Sequence, residues 1–297
     1  MYRSESLTAS IKALSAHLDP RPTGIHSRVA PLAGMRAVLF DIYGTLVISA
    51  SGDIGLGGDR NEEEAFRQTL AACNLVVTNH HCSLSGPDLL KQSIRAFHAE
   101  RRTRGVDYPE VEIRQIWRNI LARLLDRDAA ALDQGLVERV AIEYECRVNP
   151  VWPMPGLAQT LSGLRDRGLV LGIISNAQFY TPLLFNAFLD QSMEDLGFDL
   201  QASAFSFRLL EAKPSTRIYE ESLAGLRLHK GIEPDQVLYV GNDMRNDIWP
   251  AQRCGCRTAL FAGDERSLRL REDDPEIAGV VPDRVVTDLR QIPESIL

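Results

Sequence analysis

Short apolar runs punctuate the chain, and each closes on residues with chemical character. Residues 36–40 (RAVLF) end at Asp41, 169–174 (LVLGII) at Ser175-Asn176, and 236–240 (QVLYV) at Gly241-Asn242-Asp243. Apolar runs without alternation suit strands covered on both faces. Residues 258–261 predict a further strand, and 202–207 another. Helical spacings separate them: Leu157, Leu161 and Leu164 before the second run, and Ile218, Leu223 and Leu226 before the third. Strands alternating with helices predict an α/β core, a parallel sheet with helices on both faces. Ligands of such sheets sit beyond the carboxyl ends of the strands, where three polar strand ends would meet.

More than a hundred residues lie between the first two strands, far beyond a simple crossover. Ile116, Trp117, Ile120, Leu121 and Leu124 share one face of a helix, with Pro109 placed to start it. Pro87 predicts another helix start, running to about Arg102, and 61–73 and 129–148 also read as helical. The expected organisation is a three-layer, Rossmann-like core (35–58 and 150–297), an inserted α-helical cap (59–149) and an N-terminal helical extension (1–34). In the extension, Leu7, Ile11, Leu14 and Leu18 make one helical stripe, with Pro20 and Pro22 to end it. It is expected to pack on the main body rather than to form a dimer contact. Gly52, Gly55, Gly57 and Gly58 crowd the stretch 49–58; no GK[ST] follows, so a core–cap hinge is expected rather than a phosphate loop.

Composition narrows the possibilities. The chain is 44% hydrophobic and 25% charged over 297 residues, ordinary for a globular protein with a real core. A net charge of −7 argues against a nucleic-acid surface while leaving room for a local basic pocket. No apolar stretch approaches the roughly 20 residues of a membrane helix. Five cysteines (73, 82, 146, 254, 256) contain no C-x-x-C pair, which suits free thiols in a cytoplasmic protein. His80-His81 read as loop residues without nearby ligand partners.

Asp41 opens Asp-Ile-Tyr-Gly-Thr-Leu (41–46), and a carboxylate at a strand end followed by a glycine turn can act as a covalent nucleophile. Ser175-Asn176, Lys213-Pro214, and Asp243 with Asp247 follow in order. Taken singly, each has a bland alternative: a turn, a solvated lysine, a helix cap. In this order and spacing they resemble the haloacid dehalogenase superfamily at all four of its motifs, over roughly 35–58 and 150–262. The resemblance implies that Asp41 attacks the substrate and that water then hydrolyses the aspartyl intermediate. It implies that Thr45, Ser175 and Asn176 hold transferring oxygens and that Lys213 neutralises charge. It also implies a magnesium ion held by Asp41, the backbone carbonyl of Tyr43, Asp243 and Asp247, a donor set of the oxygens that ion prefers.

Two positions depart from the superfamily's phosphatases. Tyr43 stands where they usually carry an Asp as general acid and base, and a phenol of pKa about 10 serves poorly near neutrality. A halide or another leaving group that departs unprotonated would not need that acid, and tyrosine here is similar to the 2-haloacid dehalogenases, as is Tyr219. Asn242 stands where the phosphatase pattern has Asp, yet Asp243 and Asp247 keep an acidic pair. Arg67 is a candidate halide-binding arginine, with a solvated helix position as its bland reading. Residues 266–274 read as a solvated face, with Arg266, Arg269 and Arg271 available to an anion only if that segment reaches the sheet edge. Three functions are expected in descending order: magnesium-dependent hydrolysis of a small phosphorylated metabolite, metal-independent hydrolysis of a carbon–halogen bond in a 2-haloacid, and a catalytically weak binding relative. The expected partner is a small anionic molecule, without nucleic acid or membrane.

Overall fold

The computed structural model describes residues 2–50, 59–78 and 85–297. The glycine-rich stretch 52–58, His80-His81 and Cys82 lie outside the described residues. Strands Ala37–Phe40 (β1), Val47–Ser49 (β2), Val151–Pro153 (β3), Val170–Ser175 (β4), Ala204–Phe205 (β5), Val237–Gly241 (β6), Arg257–Phe261 (β7) and Arg284–Val286 (β8) fall into two sheets. The larger has six strands in the order β5-β4-β1-β6-β7-β8. All its pairings are parallel, with Phe40 opposite Ile173 on one side and Val240 on the other. The core runs without alternation because both faces are covered. Val38 and Phe40 enter one apolar cluster, Ala37 and Leu39 the other.

The strand expected over 202–207 is only Ala204–Phe205. Ile173 N–H is answered by the Ser203 hydroxyl at 3.1 Å rather than by a ladder carbonyl, and Ser206 already opens a helical turn.

The N-terminal helix is Tyr2–Leu14 (α1), so it ends before Leu18 and the prolines. Leu7 and Ile11 are buried, and α1 lies along the insertion and the core, as the packing reading expected. The extended segment after it bridges the sheet edge, with Arg28 N–H donating to the Val285 carbonyl at 2.7 Å. An otherwise open edge strand is thereby covered.

The insertion contains Asp59–Ala72 (α2), Gly86–Thr103 (α3), Ile113–Leu125 (α4) and Gln134–Val148 (α5). Ser85 caps α3 with Pro87 in its first turn, and Asp133 caps α5 through the Leu136 N–H at 2.9 Å. β2 and β3 pair antiparallel, Ser49 opposite Val151, so the chain leaves and re-enters at one two-stranded stem. Trp117 from α4 is 1% exposed and stacks on Phe66 with centroids 6.0 Å apart, and Tyr144 meets its edge at 5.2 Å. Among the described residues no helix is long and apolar enough to cross a membrane.

Pro109 does not start α4. Glu112 caps that helix, while residues 108–112 run extended beside residues 210–212. Ala212 N–H donates to the Tyr108 carbonyl at 2.8 Å and Glu110 N–H to the Leu210 carbonyl at 3.1 Å. Proline suits the extended segment, since it has no N–H to lose there. The Gln178 side chain adds two bonds, donating to the Val111 carbonyl at 2.9 Å and accepting Ile113 N–H at 3.0 Å. These contacts form a clasp between insertion and sheet.

Replacing Trp117 by Ala is expected to lower stability by about 3–5 kcal/mol in chemical denaturation, the loss typical of a buried aromatic. The clasp gives a pH prediction. The Glu110 carboxyl accepts from Ser206 Oγ at 2.9 Å, and burial pushes its pKa up to about 7 despite that bond and one from Val111 N–H. A carboxyl raised on folding favours the native state in its protonated form. Its contribution is present below the unfolded value of about 4.3 and is lost as pH rises through about 7. Between those values the wild type should lose urea stability relative to Glu110→Gln, and parallel profiles for the two proteins would refute the assignment.

Candidate active site

Asp41 stands just beyond β1, between β4 and β6, where the strand order turns both ways from chain order. That is the crevice position of an open α/β sheet. Its backbone N–H still donates to the Val240 carbonyl at 2.9 Å, so the carboxylate rises from the ladder itself. The turn that follows requires Gly44, which has φ +82°; a Cβ there would come within 2.5 Å of Ser267 Cβ.

Three separate loops converge on Asp41. Lys213 Nζ donates to Asp41 Oδ1 at 2.7 Å and to Asp247 Oδ1 at 2.6 Å. The Ser175 hydroxyl donates to the same Asp41 oxygen at 2.9 Å. Asp41, Ser175, Lys213 and Asp247 are all buried. Asp41 Oδ2 has no hydrogen-bond partner among the described residues, and Asp41 lines a polar pocket. Burial opposes the Lys213 charge, but Asp247 and Asp41 outweigh it and carry its pKa upward. Burial pushes Asp247 up to about 6, with Lys213 opposing the rise and Asp41 and Asp243 adding to it.

The remaining expected residues divide. Asn176 grips the backbone of Lys213, accepting its N–H at 2.8 Å and donating to its carbonyl at 3.4 Å. Thr45 is fully buried, and its hydroxyl donates to Asn242 Oδ1 at 3.2 Å. Tyr43 lines the pocket, but its hydroxyl meets Thr181 Oγ1 at 3.0 Å. Burial, then the charge of Glu145, raises its pKa, which removes it as an acid or base near neutrality. Asp243 lines the same pocket as Asp41 and Asp247, but its carboxylate is already engaged. Its carboxylate accepts Arg271 Nη2 at 2.7 Å and caps the wide turn Met244–Ile248 through Arg245 N–H at 2.8 Å. Both Asp247 oxygens are engaged too, the second by Asp243 N–H at 2.9 Å. Among the described residues no three His, Cys, Asp or Glu side chains are grouped closely enough to hold a metal ion.

Some site residues escaped the sequence reading. Tyr239 has its hydroxyl 2.9 Å from Asp247 Oδ1 and accepts from Lys213 at 3.3 Å. Its signal was a lone phenol inside an otherwise aliphatic buried run. Arg269 and Arg271 line the pocket, although 266–274 read as a solvated face. Backbone bonds bring that segment in: Arg269 N–H donates to the Asn242 carbonyl at 3.0 Å, and Met244 N–H to the Arg269 carbonyl at 2.9 Å. Arg67 carries no site role here; its side chain is 77% exposed and paired with Glu64. Gly241 allows another close approach, since a Cβ would lie 2.4 Å from Asp247 Cγ.

Lys213→Met should destabilise the fold by about 3–5 kcal/mol at neutral pH, because it leaves two buried carboxylates without their shared cation. Urea denaturation measures this, and the deficit should shrink on acidification as the carboxyls protonate.

Comparison with known proteins places the chain among relatives. The family model of the haloacid dehalogenase-like hydrolases matches residues 35–255. A phosphoglycolate phosphatase of Salmonella choleraesuis is 27% identical over 236 residues, 76% of this chain and 80% of its own. A glyceraldehyde 3-phosphate phosphatase of Methanothermobacter thermautotrophicus is 27% identical over 152 residues, 48% of this chain and 58% of its own. Among solved structures, the 2-haloacid dehalogenase of Pseudomonas syringae shares the fold. Its TM-score is 0.51 at 21% identity, covering 88% of this chain and 97% of that one. With the motif residues gathered at one sheet edge and the family model spanning them all, the chain belongs to the haloacid dehalogenase-like hydrolases.

Proposed function

We propose that the chain hydrolyses a small phosphorylated metabolite through a covalent intermediate on Asp41. The observation that carries this reading is the convergence of Ser175 and Lys213 on one Asp41 oxygen, at 2.9 and 2.7 Å, with the other oxygen open to the pocket. In the first step an Asp41 oxygen attacks phosphorus and the bond to the leaving oxygen breaks. In the second, water attacks the phosphorus of the aspartyl phosphate and the carboxylate is restored. Lys213 offsets the charge of Asp41 and of the incoming phosphoryl oxygens, and phosphoryl transfer is catalysed mainly by such positioning and charge. Phosphatases among the curated relatives, matched over three quarters of the chain, support the choice of substrate class.

Magnesium, implied by the family resemblance, is held in proteins by one or two carboxylates and keeps several waters. The open oxygen of Asp41 and the Tyr43 carbonyl suit such a reduced donor set, with Asp247 behind them. Asp243, on the same pocket, would join it by exchanging its bond to Arg271. When bound there, the ion would add positive charge beside the transferring group.

Tyr43 favours a second reading. With no acid two residues after Asp41, a leaving group that departs unprotonated is handled most easily, and halide from a 2-haloacid is one. The two readings part in one assay series. Phosphate release from a panel of small phosphoesters and acyl phosphates should need magnesium and stop in EDTA. Halide release that persists in EDTA would select the second reading, and neither activity would reject both in favour of a binding relative. Asp41→Asn should lower turnover by at least about a thousandfold without shifting the unfolding midpoint downward. Unchanged turnover in that variant would remove Asp41 from its assigned place.

A further inference from the structure

We infer that Ser49 accepts a hydrogen bond from the water that hydrolyses the Asp41 intermediate, and that Asn149 and Glu145 hold its hydroxyl in that role. This role presupposes the aspartyl phosphate proposed above and adds a water-holding group from outside the four motifs.

Ser49 ends β2 in the stem and lines the pocket with Asp41 and Lys213 while only 3% exposed. Its hydroxyl proton is already committed, because Oγ donates to Asn149 Oδ1 at 2.8 Å. The direction of that bond is set one residue further on. Asn149 Nδ2 donates to Glu145 Oε1 at 3.2 Å. Burial raises the Glu145 pKa, and the bonds from Asn149 and Tyr180 oppose the rise. A carboxylate only accepts, so the amide turns its NH2 to Glu145 and its oxygen to Ser49. What Ser49 offers the pocket is therefore an oxygen lone pair, which no group among the described residues takes.

Tyr43 gives that lone pair its importance. The tyrosine lines both the Asp41 pocket and a small cavity behind it, where Glu145, Asn149 and Tyr180 also stand. Its hydroxyl is engaged with Thr181, and its raised pKa bars proton transfer near neutrality. Ser49, tethered to a residue of the same cavity, presents an acceptor on the side where the phenol is occupied. The phosphoryl group on Asp41 brings acceptors only, whereas an entering water brings two protons. Its oxygen attacks phosphorus, the bond from phosphorus to the Asp41 oxygen breaks, and the electron pair returns to the carboxylate. Both water protons leave with the product as dihydrogen phosphate. The enzyme need only orient the water, and an acceptor of fixed direction does so. Phosphoryl transfer depends largely on positioning of this kind.

The test separates the two steps with radiolabelled acetyl phosphate in magnesium buffer. Acid quenching should trap label on the wild type and none on Asp41→Asn, and a chase with unlabelled acetyl phosphate reads its decay. In Ser49→Ala the label should form at the wild-type rate, accumulate, and decay roughly ten- to hundredfold more slowly. Asn149→Ala, which frees the Ser49 proton, should slow decay without slowing formation. Ser49→Thr should decay as the wild type does. Ser49→Val matches the threonine in shape without the hydroxyl and should decay as slowly as Ser49→Ala. The Thr and Val pair carries the test if the alanine variant does not fold. Decay unchanged in Ser49→Ala and Ser49→Val overturns the inference. Slower formation or a raised KM with decay unaltered makes Ser49 a substrate contact and overturns it too. In both cases the aspartyl intermediate stands. Phosphate release without trapped label in the wild type and in Ser49→Ala, or no release at all, refutes the hydrolytic reading and this role with it.

Discussion

One buried ammonium organises the site. Lys213 lies between Asp41 and Asp247, 2.7 and 2.6 Å from their nearer oxygens, with almost no contact with water. Two carboxylates this close would repel each other and one would protonate. The shared cation lets them coexist, and it ties together loops separated by well over a hundred residues. Desolvation makes such an arrangement expensive unless hydrogen bonds offset it, and here they do on every side but the open oxygen of Asp41. Tyr239 supports the Asp247 and Lys213 side, Ser175 the Asp41 side, and Asn176 clamps the lysine's own backbone.

That requirement explains several local choices. Gly44 lets the chain double back under Ser267 immediately after the nucleophile, and Gly241 lets β6 run hard against Asp247. Asn242 joins two of the active loops by accepting from Thr45 and donating to the Ser267 carbonyl at 2.5 Å. An uncharged amide can make both bonds, whereas a carboxylate could only accept. The substitution that looked like a weakened metal ligand thus has a structural task of its own.

Much of this was legible beforehand because the signals were local. A buried parallel strand writes itself as an unbroken apolar run, and polar residues at its end fall where the sheet is open. So Asp41, Ser175 and the acidic pair at 243 and 247 fall at one sheet edge by their strand ends, and Lys213 joins them through the resemblance of the motif order to the superfamily. What escaped was set by tertiary contact. Arg271 sits in a charged segment with no periodicity, and only bonds to the β6 loop bring it to the pocket. Asp243 does line the pocket with Asp41, but the partners of its carboxylate, an arginine beyond any motif and two N–H groups of its own turn, are not written in the sequence. The expected helix start at Pro109 rests on proline's preference for first turns, yet a bridge to Glu211 claims that residue.

The clasp at residues 108–113 has a mechanical consequence. Besides the β2–β3 stem and the N-terminal helix, this seam is a further tie between the helical insertion and the core. Any tilt about the stem loads the hydrogen bond from Ala212, the residue just before Lys213, to the Tyr108 carbonyl. The seam thus ends one residue from the positive charge shared by Asp41 and Asp247.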